Sequence, residues 1–424
     1  MGRNQLNRTR AFFGLTARNI EDVVGNGLCT GCGLCASIAG PAAISMGINI
    51  EGNMRPLVRG AFVPGQNEQI MAVCPGVSVQ GPGRPKGVTI HPVWGPMREI
   101  HRTWSSEPVV RHKGAAGGTL TALGRYLLAS GRVHAVLHVR ADDRKPWLTI
   151  STISRTPEEV LRGAQSRYGP SSPLVHVHRL LDEGKRFAVI AKPCDISAVR
   201  ALGRVESRVE SLIPYMLTIF CGGVHSVHIA KAVMRHHGVD ELDVALYRYR
   251  GEGWPGPLRV QTRDGTAYDL PYPGAWLMGK FAYELQFRCK ICPDGVGEAA
   301  DISAPDGWIL SNGKPSYAEA PGTNVVVVRT HAGKELLDAS INAGYLQVAP
   351  VSLEEIDLMH KNHHRKAAAS AALFALRLMG QRTIRIFGYR TKAGLKRAGL
   401  RRIFQQFAGT VRRVLRGENR EHLI

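Results

Sequence analysis

The chain contains no apolar run long enough to cross a bilayer. The best candidate, 213–224, is too short and is interrupted by Pro214 and Cys221. The basic N-terminus, M-G-R-N-Q-L-N-R-T-R, lacks the apolar core of a secretory signal. Export is therefore not expected, and neither are disulfides, which leaves the cysteines available as ligands. Acidic residues are scarce: 34 Asp and Glu stand against 55 Lys and Arg, a net charge of +21. The deficit is local. Residues 361–424 hold 16 Lys and Arg against 2 Asp and Glu, which leaves +7 on the first 360 residues. No internal repeat of convincing period is visible. With 44% hydrophobic and 21% charged residues over 424 positions, the remainder reads as an ordinary globular chain of about two or three domains.

What the chain does have is eight cysteines in two groups of four. Cys29, Cys32 and Cys35 form C-T-G-C-G-L-C, and Cys74 follows in V-C-P-G. Two residues between ligands let one tight turn present several thiolates to a metal cube, as in iron–sulfur ligation. The glycines keep the backbone close enough for its N–H groups to reach the sulfurs. A bacterial ferredoxin run would continue C-x3-C-P, but Ala39 occupies that position. Cys74, followed by Pro75, is the natural fourth ligand. The second group is Cys194 in A-K-P-C-D, Cys221 in I-F-C-G-G, and the pair Cys289 and Cys292 in C-K-I-C-P-D. Taken singly, Cys194 and Cys221 would read as core cysteines; taken with the pair, they make a second set of four. Two [4Fe–4S] clusters are the leading expectation. Structural zinc, which also takes four thiolates, and a set of buried cysteines without ligand function remain as alternatives.

The organisation along the chain is α/β. A short helix is expected around 17–24, followed by a small cysteine-bearing segment to about residue 80. A Gly- and Pro-rich stretch, 76–96, reads as a linker. Gly117-Gly118-Thr119 opens a run with apolar residues at helical spacing that Gly131 closes. Strands are expected over 133–139, 186–191, 215–220 and 324–329, nearly continuous apolar runs that suit burial on both faces of a sheet. Strand ends in such a sheet are where ligands gather, and Cys194 and Cys221 fall there. Beyond the sheet, 395–416 carries Leu400, Ile403, Phe404, Phe407, Val411, Val414 and Leu415 at three- and four-residue steps among arginines, a basic amphipathic helix.

Taken together, these motifs resemble the beta subunits of coenzyme F420 hydrogenases and dehydrogenases, over about 29–350. The residues that carry the likeness are C-T-G-C-G-L-C, G-A-A-G-G-T-L-T-A-L at 114–123, S-R-Y-G-P at 166–170, A-V-I-A-K-P-C-D-I-S-A-V-R at 188–200, F-C-G-G at 220–223, G-W-P-G at 253–256 and C-K-I-C-P-D-G-V-G-E-A-A-D-I-S at 289–303. Relatives include 7-hydroxymethyl chlorophyll a reductase and the iron–sulfur 8-vinyl reductase. The resemblance implies non-covalently bound FAD beside the clusters, with Gly117, Gly118 and Thr119 facing the flavin. A glycine turn opening a helix suits phosphate, although a plain helix start reads the same way. Lys192 is expected to place a charge near flavin or substrate, and Tyr168 to stack on a ring. The expected parts are an iron–sulfur module over 1–80, a mixed-sheet flavin-binding body in two halves (97–180 and 181–360) and a basic helical tail over 361–424.

The expected activity is that of an iron–sulfur flavoprotein oxidoreductase. Electrons would pass from a donor such as ferredoxin through the first and second clusters to FAD and a small-molecule substrate. Two alternatives stand beside it: a non-catalytic relay subunit of a larger redox complex, and a zinc-stabilised binding protein. Asp195, His225, His228 and Asp306 are positional candidates for a proton donor, and none is assigned. For the tail, four readings compete: a solvated helix folded on its own domain, contact with an anionic membrane surface, contact with an acidic partner protein, and, least supported, nucleic acid, for which no recognition motif accompanies the charge. A cytoplasmic location, peripheral to a membrane under the second of these, is the corresponding expectation.

Overall fold

Apolar β-branched runs build the centre of the molecule. The computed structural model describes residues 15–83, 85–272 and 284–424; the basic N-terminal stretch 1–10 lies outside them. One eight-stranded mixed sheet dominates. Its strands, numbered in chain order, are β1 (Glu99–Ser105), β2 (Ala135–Ala141), β3 (Thr149–Ser154), β4 (Phe187–Ile190), β5 (Tyr215–Thr218), β6 (Ile302–Ser303), β7 (Asn324–Val328) and β8 (Leu346–Ala349). Their spatial order is β8-β1-β7-β6-β5-β4-β2-β3. The inner strands β2, β4, β5 and β6 run parallel, and antiparallel neighbours flank them on both sides.

Alternation along these strands serves two cores. Val136, Ala188 and Leu217 face one side with Val326 and Val328. Leu137, Val189 and Met216 face the other, beneath the helix Pro193–Leu202. A sheet covered on both faces needs apolar residues at every inner position, which is why the four runs expected from the sequence are β2, β4, β5 and β7. The helix Thr119–Ala129 ends just before Gly131, whose φ of +67° suits a left-handed stop.

Ahead of the sheet, the cysteine-bearing segment folds into the helices Ile20–Gly25, Leu34–Ala39 and Gln66–Val73 and a hairpin of Ile44–Ile48 with Met54–Val58. It is pinned to the body at Cys32, whose carbonyl accepts from the Leu174 amide at 2.9 Å. At the adjacent Gly33 (φ +81°) a Cβ would stand 2.6 Å from Val175 and 2.8 Å from Ser172, so glycine is required by both torsion and space. The stretch 76–96 is more structured than a linker. It contains the strand Ser78–Gln80 and a hairpin of Thr89–His91 with Gly95–Met97, and it buries Trp94, whose indole N–H donates to Asp357 at 2.7 Å.

The tail, which has no evident place in the large sheet, finds one beside the cysteine segment. Its strand Arg385–Phe387 pairs in parallel with Ser78–Gln80. Ala372, Leu373, Leu376 and Ile384 share a core with Val23, Leu28, Val77, Phe287 and Ile291. The amphipathic stretch forms the helix Thr391–Leu415, broken at Gly399 (φ 76°, ψ 161°). Among the described residues no helix is long and apolar enough to cross a membrane.

Candidate metal centres

The first four cysteines meet in space as their spacing implies. Cys29 lies in the turn after the first helix, Cys32 just before the helix Leu34–Ala39, Cys35 within it, and Cys74 caps the end of the helix Gln66–Val73. All four line one cavity walled by Val23, Val24, Ile70 and Met71. The Gly31 amide donates to Cys29 Sγ at 3.3 Å, as the glycine-rich turn predicts. Burial pushes all four thiols up, Cys74 to about 12. The other thiols raise one another further, since each sulfur is within electrostatic reach of others in the set. Such a pocket favours neutral sulfur unless a metal supplies the opposing charge.

The second set is assembled by the sheet. Cys194 is the second residue of the helix that follows β4, and Cys221 follows β5, so both stand at the carboxyl edge of adjacent parallel strands. Cys289 sits in the short helix Phe287–Lys290, with Cys292 just after it. The charges interact across the set: Cys194 feels Cys221 and Cys292, and Cys221 feels Cys289 and Cys292. Burial raises the Cys194 thiol well above its ordinary value and Cys221 to about 11, although the Lys366 ammonium pulls Cys221 down. Lys366 comes from the tail and donates to the Cys221 carbonyl at 2.7 Å. Cys289 Sγ accepts from the Val224 amide and the Gln286 side-chain amide, both at 3.4 Å. Among the described residues, no three His, Cys, Asp or Glu side chains converge as tightly as a single metal ion requires. Four thiols around one site are a donor set that suits a cube, whose four irons sit at separate corners, and also structural zinc.

Charged side chains lie between the sets, and two of them, Arg55 and Arg288, are unmarked in the sequence. Arg55 is fully buried; its charge acts on Cys29 of the first set and Cys289 of the second. Arg288, also buried, acts on Cys74 and donates to the Pro75 carbonyl at 3.1 Å. Asp195 follows Cys194 directly, and its charge acts on both Cys32 and Cys194. The two sites are therefore electrostatic neighbours. Asp195 Oδ2 lies 2.8 Å from Lys192 Nζ, whereas Oδ1 is buried without a hydrogen-bond partner. Burial pushes the Asp195 carboxyl up against the pull of Lys192. No spacing or periodicity announces Arg55 or Arg288; the only local sign of Arg288 is its position next to a ligand.

The remaining candidates collect at the same sheet edge, with one exception. Gly117 and Thr119 both donate to Asn324 Oδ1, at 3.0 and 3.2 Å, and the Thr119 hydroxyl lies 2.9 Å from that of Thr103. Gly118 holds φ +72° at the start of the helix. Tyr168 packs edge-on to Tyr249, with ring centroids 6.0 Å apart, and its hydroxyl accepts from Arg250 at 3.2 Å. Arg250 is buried, pairs with Asp306 at 2.7 Å, and donates to the Ala115 carbonyl beside the glycine turn. Trp254, Trp308 and Tyr272 surround its guanidinium. Arg250 is thus the hub that joins Tyr168, Asp306 and the glycine turn, and no motif in the sequence marks it. The His225 amide donates to the Tyr168 carbonyl at 3.1 Å, and burial lowers the imidazole to about 4. His228 stands apart: its Nε2 lies 2.9 Å from the Ile50 carbonyl, against the hairpin of the cysteine segment.

Comparison with known proteins identifies the family and the fold. Residues 100–179 match the family model for the N-terminal part, and 184–354 that for the C terminus, of the coenzyme F420 hydrogenase/dehydrogenase beta subunit. The chain is 25% identical to the F420-dependent formate dehydrogenase 1 subunit beta of Methanococcus maripaludis, over 62% of this chain and 64% of that protein. It is 26% identical to the coenzyme F420-dependent sulfite reductase of Methanocaldococcus jannaschii, over 59% of this chain and 37% of that one, so it spans less than two thirds of either. Against the coenzyme F420 hydrogenase subunit beta of Methanothermobacter thermautotrophicus the identity is 24%, over 61% and 86%. A chain of the F420-reducing [NiFe] hydrogenase complex from Methanosarcina barkeri shares the fold, with TM-score 0.52 and 21% identity over 70% of this chain and 98% of that one. With both halves of the family model matched across the sheet and the second cysteine set, the chain belongs to the coenzyme F420 hydrogenase/dehydrogenase beta subunit family.

Proposed function

We propose that this protein is an electron-transferring oxidoreductase whose cysteine sets each hold a [4Fe–4S] cluster: Cys29, Cys32, Cys35 and Cys74 the first, Cys194, Cys221, Cys289 and Cys292 the second. The observation that carries this reading is the gathering of all eight cysteines into two neighbouring groups of four, with the same buried arginine acting on both. Clusters of this kind exchange single electrons. The chain's part is to keep the sites dry, to supply N–H donors from Gly31, Val224 and Gln286 to the sulfurs, and to hold positive charge between the sites.

FAD remains in the proposal as the two-electron cofactor that the family resemblance implies. The turn at 117–119 fits it less well than the cysteines fit iron, because the Gly117 and Thr119 amides are already taken by Asn324. Lys192 and Tyr168 are the residues that the resemblance would set beside a flavin or an anionic small-molecule substrate, and Arg250 holds Tyr168 in place. A donor such as ferredoxin, usually acidic, suits the positive surface.

A second reading, a relay subunit of a larger complex, is favoured by the relatives that are named as subunits. Anaerobic reconstitution tests the first reading: about eight irons per chain are expected, together with one flavin, and a colourless protein carrying zinc would sink it. Dye-linked activity from a monomer or homo-oligomer separates enzyme from relay.

A further inference from the structure

The tail does more than cover the cysteine segment. Glu421 reaches into the cleft between the two sites and grips Arg55 with both oxygens, at 2.5 Å to Nε and 2.8 Å to Nη2. Both side chains are buried. The same Nη2 also donates to Gln286 Oε1 at 2.9 Å, and Gln286 in turn donates to Cys289 Sγ. One chain of hydrogen bonds thus runs from the tail through Arg55 to a ligand of the second site, while the charge on Arg55 also acts on Cys29 of the first. Residues around Glu421 tie down both sides of the cleft. Arg420 donates to Asn26 at 3.0 Å and His422 lies 2.5 Å from Glu51, on the first module, while Glu418 lies 3.4 Å from Lys290, beside Cys289. Arg55 and Glu421 both fall outside the stretches that match the family.

We propose that Glu421 is a positioning residue for both metal centres: it fixes the Arg55 guanidinium between them, so that a single buried ion pair sets the two reduction potentials together. This rests on the cluster reading above. A buried arginine held by a carboxylate presents a fixed, partly compensated positive charge, and nearby charge and hydrogen bonding are among the factors that set cluster potential. Removing the carboxylate charge leaves Arg55 uncompensated. Extra positive charge favours the reduced form, so the potential rises at both sites.

The test is a redox titration of the reconstituted full chain, followed by electron paramagnetic resonance, with iron content measured on the same samples. Glu421→Gln is expected to move both midpoint potentials in the positive direction, and Glu421→Asp to move them less, because it keeps the charge. The double variant R55M/E421Q leaves no buried charge unpaired, so it guards against loss of folding in the single variant. Because the charge on Arg55 acts on Cys29 more strongly than that on Glu421, the double variant is expected to bring both potentials below those of the parent. Glu418→Gln, at the partly exposed pair with Lys290, is the control and should leave them unmoved. Parental potentials in both Glu421→Gln and the double variant, at full iron, would overturn the proposal, as would movement of only one cluster. A parent chain without iron would instead overturn the cluster reading itself.

Discussion

The two cysteine sets each gather four thiols, at opposite ranges along the chain. The first takes three of its cysteines from 29–35, on a turn where the Gly31 amide reaches Cys29 Sγ, and adds one from the end of a nearby helix. The second takes single cysteines from the ends of β4 and β5 and a pair from far downstream, so it exists only once the sheet is assembled. The first is therefore a local structure pinned to the body at Leu174, and the second is a product of the whole fold. Damage to the body should reach the second site first, whereas damage to the turn should stay local.

The sharpest way to break this contrast is to remove one ligand from each set. Cys292→Ala and Cys32→Ala should each take iron from about eight to about four per chain, and the absorbance that remains should belong to the other cluster. Loss of all iron from either variant would mean that the sites are not separable. Arg55→Ala strands a buried carboxylate between the sites and should cost about 3–5 kcal/mol in chemical denaturation. Leu217→Ala, in the buried middle of β5, should cost about 2–5 kcal/mol and lower the occupancy of the second site before that of the first. Equal loss at both sites would contradict the proposed dependence on the sheet.

Acid should act on the body as well. Burial holds His360 at about 4, against an ordinary 6.5, and its ring packs against Phe220, next to Cys221. A histidine kept neutral in the fold and free to charge in the unfolded chain gives stability that is present above pH 6.5 and is lost as pH falls towards 4. Denaturation midpoints measured between pH 7 and 5 should fall, and His360→Gln should flatten that slope. The smallest effect is expected on the tail's outer face. Leu400 and Phe404 are 86% and 70% exposed, one helical turn apart, so replacing both with serine should change stability by less than about 0.5 kcal/mol. The same variant, compared with the parent for salt-sensitive pelleting on anionic vesicles, separates membrane contact from a merely solvated face.

Much of the sheet was legible because its inner strands are buried on both faces, and a doubly buried strand must be apolar throughout. β4, β5 and β7 carry that mark over most of their length, and β2 over Ala135, Val136 and Leu137, before His138 and Arg140. β1 does not: E-I-H-R-T-W-S is mostly half-buried, and its place is fixed by pairing with β7 and β8. β6 has two residues and the tail strand three, too few for any periodicity. The cysteines could be read because metal ligation constrains spacing and residue type together. Arg55, Arg250 and Glu421 could not, since a lone charged residue reads as surface until distant segments enclose it. The tail illustrates this limit: its charge pointed outward to partners, yet part of that charge turns inward, at Lys366 and Glu421, towards the metal centres.

The order of residues along the chain gives that inward turn a timetable. Every cysteine is synthesised before 417–424, and Glu421 lies 366 positions beyond Arg55, so the ion pair between them can form only after both cysteine sets have been made.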